Sequence, residues 1–373
     1  MGCTPAEAVP ERLPFERLQW ASVAESMEKS ELRGGTAGDT VVSTEATSDG
    51  FHVVVQVTHW QTCGTTKFRV RRVLDVTSGD TLGAYRVSDP CLDGGLFAPA
   101  SAVLGGVAGK DAAGVSYWSV GSWNMQERGW AWWPTPLRLE DIFADDYYDL
   151  ADGTLLALRP SAVRVAAPGS IDFSELDTNA RVGSAGDDMF VWSQLLEPAG
   201  SRVRAWTRAG GVVDVVDELP ADPCAVTATE THVVGLAGAG NCTSFLHDIK
   251  FWRTERAEIG NDAAVEFGPV ITSSSRIGML RFVAHGDFAA FMAVPEVDGG
   301  SGPFFLLVAR FSDRTLWRID PQPGWQPFRS SSTHALTDTH LYLLDRKGGN
   351  LQAAYRIPLS DLETIATPFV PAP

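Results

Sequence analysis

Five residues in two stretches carry side chains suited to holding a ligand: His59 and Trp60, then Trp123, Trp130 and Trp132. Flat indole faces stack on sugars and on peptide groups, and an imidazole beside one adds a hydrogen-bonding partner. Tyr117 to Trp133 is the densest aromatic stretch of the chain. Alternation along a strand puts Trp130 and Trp132 on one face and Trp133 on the other. The same alternation serves a structural role, the favoured one for Trp130 and Trp132, in which large rings fill the space between packed sheets. Trp118 is assigned to the core.

Other spacings point away from chemistry. Glu140, Asp141, Asp145, Asp146, Asp149 and Asp152 offer oxygen ligands, but without the DxDxDG rhythm that wraps a loop around Ca²⁺ they read as solvated loop and turn charges. Lys347-Gly348-Gly349 lacks the preceding GxxxxG of a phosphate loop and reads as a hairpin turn. His52, His232 and His340 recur at the entry to equivalent strands, which is the mark of a repeated structural preference rather than of one metal cluster. Serine elbows, HExxH, CxxC pairs and Rossmann glycines are all lacking. No catalytic residue, metal site or cofactor is assigned.

The elements that would position these residues come from a recurrence. Seven times a short turn with Asp, Gly or Glu runs into an alternating apolar block: Phe51 to Val57, Val115 to Val120, Thr154 to Arg159, Met189 to Leu195, His232 to Ala237, Phe288 to Val294 and His340 to Asp345. One or two further strand-like runs follow each. Successive blocks start roughly 35 to 65 residues apart, bracketing the 40 to 50 of a four-stranded unit. The expected fold is all-β, a seven-bladed β-propeller with six or eight blades as alternatives, over residues 39–373, after an N-terminal tether and docking element over 1–38. Arg69 to Leu82, Phe311 to Trp317 and Tyr355 to Ile365 read as hairpins between third and fourth strands. Either Leu18 to Val23 or Leu359 to Val370 supplies the outer strand that closes the ring.

In such a blade the first strand starts, and the second ends, on the same side. Cys224 precedes a first strand and Cys242 follows the second strand of the same blade, so a disulfide is expected between them. Cys63 and Cys91 form a second, less constrained pair.

Leu74-Asp75 and Gly79 resemble the quinoprotein-like propeller repeat, which also occurs in noncatalytic outer-membrane assembly lipoproteins; Ser78 and Gly83-Ala84 depart from that pattern. Ser312, Asp313 and Trp317 resemble the Asp-box hairpin of sialidase-type propellers, without its glycine. Gly2-Cys3, followed by a Pro- and Glu-containing stretch, resembles a bacterial lipoprotein just after signal removal, which implies acylation at Cys3.

The chain has 373 residues, is 44% hydrophobic and 20% charged, and carries a formal net charge of -16, which disfavours nucleic acid as a partner. No apolar run reaches the roughly 20 residues of a membrane span, so a lipid anchor alone would hold it to a membrane. The expected function is a noncatalytic extracytoplasmic scaffold, periplasmic or at the cell surface, that binds an envelope protein or glycan. The alternative is a propeller hydrolase or lyase with substrate in a central funnel.

Overall fold

The computed structural model describes the chain from Ala21 to Phe369 apart from intervening segments, the longest being 32–41, 88–102, 139–145, 240–246, 270–276 and 321–332; side chains are described mainly from Leu150 onward. The chain is mostly β, and its described strands form seven antiparallel sheets. The first holds Val42–Ser48, Val53–Cys63, Thr66–Asp75 and Thr81–Val87. The second holds Val103–Lys110, Ser116–Asn124, Gly129–Trp132 and Leu137–Arg138. The third holds Asp146–Asp149, Leu155–Arg159, Ala162–Ala166 and Ser174–Asp177. The fourth holds Ala180–Ala185, Met189–Leu195, Ser201–Thr207 and Gly211–Leu219, and the fifth Asp222–Ala228, His232–Ala239, His247–Glu255 and Val265–Pro269. The sixth runs through Ile277–His285, Phe288–Val297, Phe305–Arg310 and Thr315–Ile319, and the seventh through Thr333–Leu336, His340–Lys347 and Asn350–Pro358.

The described strand residues of each of the seven apolar blocks lie in the second strand of its own sheet. These blocks are long apolar runs because the strands are buried on both faces. Along Met189–Leu195, Met189 and Val191 enter the cluster shared with the fifth sheet, while Phe190 and Trp192 enter the one shared with the third. Along Phe288–Val297, Ala289, Phe291 and Ala293 join the cluster with the fifth sheet, and Ala290 and Met292 join the one with the seventh. Side chains of period two therefore feed two different cores, and the hydrophobic interior is a series of layers between consecutive sheets. The first strands of the third to seventh sheets approach one another in order, and Thr333–Leu336 of the seventh approaches Val42–Ser48 of the first.

Two pairings come from far along the chain. Met27–Glu31 pairs with Asn350–Pro358, with Glu28 opposite Arg356 and Glu31 opposite Ala353, and Ala21–Ala24 pairs with it in turn. Met27 is buried in the cluster between the sixth and seventh sheets. At the other terminus Thr367–Pro368 pairs with the outer strand Thr315–Ile319 of the sixth sheet. The hairpin expected over Tyr355 to Ile365 does not form. Beyond Pro358 the backbone turns through Leu359–Asp361 into the four-residue helix Leu362–Ile365, and the edge that a fourth strand would occupy is taken by Met27–Glu31. The other two expected hairpins are present around residues 76–80 and 311–314. Lys347 lies opposite Asn350, and the expected turn residues Gly348 and Gly349 lie outside the described residues. Asp146 and Asp149 lie in a strand paired with Leu155–Leu158, not in a loop as expected, because Tyr147 and Tyr148 between them extend the chain along the third sheet.

Candidate functional site

The expected ligand residues fall on the first two sheets: His59, Trp60 and Trp123 toward the ends of the second strands, and Trp130 and Trp132 in the strand that follows in the second sheet. Trp60 and Trp123 are each the eighth residue of the second strand, in Val53–Cys63 and Ser116–Asn124 respectively. Trp123 lies directly opposite Trp130, and Trp132 opposite Gly121, so Trp123, Trp130 and Trp132 share one face of the second sheet. Trp118 belongs to the other face. Gly129–Trp132 approaches Thr81–Val87 of the first sheet. His59 and Trp60 part company: Trp60 is opposite Arg69, and His59 is opposite Val70 on the reverse face. Cys3, Cys91 and Cys242 lie outside the described residues, while Cys63 is opposite Thr66 at the end of its strand. Cys224 lies inside the first strand of the fifth sheet rather than ahead of it, at a register shift between Pro223 and Ala225, and is disulfide-bonded.

The opposite strand ends, where first strands turn into second strands, carry most of the described polar chemistry. Here the residue that follows a third strand reaches back to the sheet before it. Arg208 donates to Thr154 Oγ1 of the third sheet, and Arg256 donates to both Asp188 carboxylate oxygens of the fourth at 2.9 and 3.0 Å. At the same position in the sixth sheet stands Phe311, whose ring lies 5.1 Å from that of His232 in the fifth. Leu359 of the seventh joins the apolar cluster between the sixth and seventh sheets. One backbone position thus performs the same linkage with polar side chains in some sheets and apolar ones in others.

Between the sixth and seventh sheets one polar link is His285 Nε2 to Asp338 Oδ1 at 2.7 Å, and the Asp338 backbone N–H donates to the Gly50 carbonyl of the first sheet at 2.7 Å. Gly50 has φ +90, and a Cβ there would stand 2.7 Å from His285 Nε2, so both its conformation and its neighbour call for glycine.

The histidine recurrence has a structural cause with a wider signature than the histidine alone. In Thr229-Glu230-Thr231-His232 and Thr337-Asp338-Thr339-His340, the first threonine hydroxyl accepts from the histidine backbone N–H, at 3.1 and 3.0 Å. The second threonine hydroxyl meets the ring Nδ1 at 2.8 Å in both turns. Arg253 Nη1 lies 2.9 Å from His232 Nε2. Arginine only donates, so Nε2 accepts, and the neutral ring carries its proton on Nδ1 and gives it to Thr231. The sequence signal for these turns is Thr three and one positions ahead of the histidine. Among the described residues no group of three or more His, Cys, Asp or Glu is placed to hold a metal ion.

Burial, and then the Arg253 guanidinium, hold His232 below its ordinary value of 6.5; burial and then Arg356 do the same for His340. A base depressed in the folded state binds fewer protons than in the unfolded chain within the window between its two values, so stability is complete above about pH 6.5 and falls as the pH drops through that window. Thermal melts from pH 7.5 to 5 are expected to show this fall, and replacing both histidines by Gln should flatten it. Asp313 titrates in a separate window. Its hydrogen bond from Arg310 holds it at about 2, against 3.8 ordinarily, so its contribution is lost only below about pH 4. A slope between pH 6.5 and 5 that survives the double substitution would refute the assignment.

A second polar centre joins the third and fourth sheets. Asp177 accepts from Trp192 Nε1 at 2.9 Å, Gln194 Nε2 at 2.7 Å and Arg204 Nη1 at 3.0 Å. Arg204 also donates through Nε to Asp214 at 2.8 Å. No sequence motif announces this knot.

No family model and no curated protein matches the chain. Among solved structures it is similar to the β-propeller domain of the Trilobed protease from Pyrococcus furiosus, at 8% identity and TM-score 0.47, over 90% of this chain and 97% of that one. It is similar to Pyrococcus horikoshii acylaminoacyl peptidase at 8% identity and TM-score 0.47, over 88% of this chain and 52% of that one. An uncharacterized protein from Listeria monocytogenes EGD-e is similar at 8% identity and TM-score 0.42, over 78% of this chain and 94% of that one. Likenesses this distant carry no argument about activity.

Proposed function

We propose that the chain is a seven-bladed β-propeller, closed where its N-terminal hairpin joins the seventh sheet, and that it serves as a noncatalytic scaffold outside the cytoplasm, anchored by lipid at Cys3. It binds an envelope protein or glycan at the second-to-third-strand ends of its first two blades. The observation that supports this reading is that Trp60 and Trp123, in adjacent sheets, hold the same place near the ends of their second strands. All four histidines with described side chains are held by other groups: His232 by Thr231 and Arg253, His285 by Asp338, His334 by the Ala290 carbonyl and His340 by Thr339. In this reading Trp60 meets the ligand, and Trp123, Trp130 and Trp132 brace the second blade. A photoreactive residue at Thr62 should capture a discrete envelope component from living cells, and Trp60→Ala should abolish the capture. Capture indifferent to Trp60 would overturn the site.

Disulfides at Cys224–Cys242 and Cys63–Cys91 belong to this reading. Asp222 is opposite Gly238, so four residues beyond Gly238 suffice to bring Cys242 back beside Cys224. Each loop closure is worth about 3 kcal/mol in the chain-entropy account. Nonreducing peptide mapping of exported protein should recover both links; four alkylatable thiols would refute them.

A further inference from the structure

Phe51, on the turn between Val42–Ser48 and Val53–Cys63, is 71% exposed and is the one exposed large apolar side chain among the described residues. A lone apolar ring at a surface carries little by itself; its mount sets this one apart. On one side Gly50 donates its N–H to Ser48 Oγ at 3.0 Å and accepts through its carbonyl from Asp338 of the seventh sheet. On the other, Val53 is fully buried, with its N–H on Thr77 Oγ1 at 3.3 Å and its carbonyl taking the Val76 N–H at 2.7 Å. The ring therefore stands on a fixed backbone and has little freedom to lose on binding. The same contacts fix a carboxylate beside it. Asp338 is 50% exposed and gives Oδ1 to His285, while Oδ2 has no hydrogen-bond partner among the described residues. Its Oδ1 lies 3.5 Å from where a Gly50 Cβ would stand, one residue from Phe51. The corresponding turns of the fourth, fifth and sixth sheets carry Asp188, Glu230 and Asp287, of which Asp188 and Glu230 are exposed.

We propose that Phe51 and Asp338, where the first sheet meets the seventh, form a docking site for a basic segment of a partner protein. An arginine or lysine of that segment pairs with Asp338 Oδ2, and an apolar side chain next to it covers the Phe51 ring. Because His285 already holds Oδ1, the partner's cation makes a single end-on contact, which lysine supplies as well as arginine does. Charge complementarity selects the partner. The chain carries a net charge of -16, and the acids of the neighbouring turns extend the attraction along the same strand ends. This site lies at the strand ends opposite to Trp60, so it goes beyond the scaffold's aromatic site and stands without it.

The test uses a random dodecapeptide library displayed on phage and selected on the full chain, followed by calorimetry of the winning peptides. Selected sequences should set an arginine or lysine beside a large apolar residue, and their affinity should weaken with added salt. Phe51→Ser should cost at least about tenfold in affinity and leave the melting temperature unchanged, as for a ring that packs on nothing until the partner arrives. Asp338→Asn should cost several-fold and Trp60→Ala nothing. Asp338→Asn keeps the backbone N–H that holds Gly50, so its turn stays in place. The proposal is overturned if no sequence is selected, if the winners carry no positive charge, or if they bind the Phe51 and Asp338 variants as tightly as the parent chain. A large drop in melting temperature for Phe51→Ser would also overturn it, since the ring would then be a packing element. Peptides that depend on Trp60 and not on Phe51 would remove this site and leave the aromatic one standing.

Discussion

Replacing Asp177 by Ala is expected to lower the free energy of unfolding by about 3–5 kcal/mol, the range for a buried ion pair that loses one partner. The Asp177 side chain is 7% exposed and that of Arg204 is 20% exposed. Its carboxylate takes hydrogen bonds from Trp192, Gln194 and Arg204, and all three donors belong to the neighbouring sheet. Removing it strands an indole N–H at a site where Trp192 is fully buried, together with an amide and part of a guanidinium. Asp177→Asn should lose less, because the amide oxygen still accepts a hydrogen bond while the charge is gone. Urea unfolding of the two variants separates charge from hydrogen bonding. A loss below about 1 kcal/mol for Asp177→Ala would mean that water replaces the carboxylate and that the knot does not hold the third and fourth sheets together.

What was legible in the sequence follows from range. The second strands were readable because their signal is local: a turn residue, then apolar side chains bound for cores on both faces, as along Met189–Leu195. The closing strand was not readable as a choice between termini. The pairing of Glu28 with Arg356, with Arg356 Nε 2.6 Å from Glu28 Oε2, joins positions 328 apart and leaves no periodic trace near either. The failed hairpin at Tyr355 to Ile365 has the same origin, since the residues that decide it lie at the other end of the chain. The linking position after the third strand was hidden for another reason. Arg208, Arg256, Phe311 and Leu359 share a place and not a chemistry, so no residue type marks it. Of the candidate site, the clustering on two neighbouring sheets was implicit in the aromatic spacing, but strand alternation separates His59 from Trp60, since neighbours in a strand's sequence belong to opposite faces.

Trp130→Ala and Trp132→Ala are each expected to lower stability by about 3–5 kcal/mol, as for a large ring removed from a packed layer. Their strand lies beside Thr81–Val87 of the first sheet, and register puts Trp130 opposite Trp123 and Trp132 opposite Gly121. The fifth sheet supplies the benchmark. Trp252, 1% exposed, is likewise paired with a glycine: a Cβ on Gly235 would come within 2.5 Å of its ring. Trp252→Ala therefore calibrates what full burial of such a ring is worth in this molecule. Thermal and urea unfolding of the three single variants decides the matter. Losses comparable to that of Trp252 place Trp130 and Trp132 inside a packed layer, and leave Trp60 as the ligand contact. Unchanged melts with weakened ligand binding would move both indoles to the surface and make the second sheet, not the first, the centre of recognition.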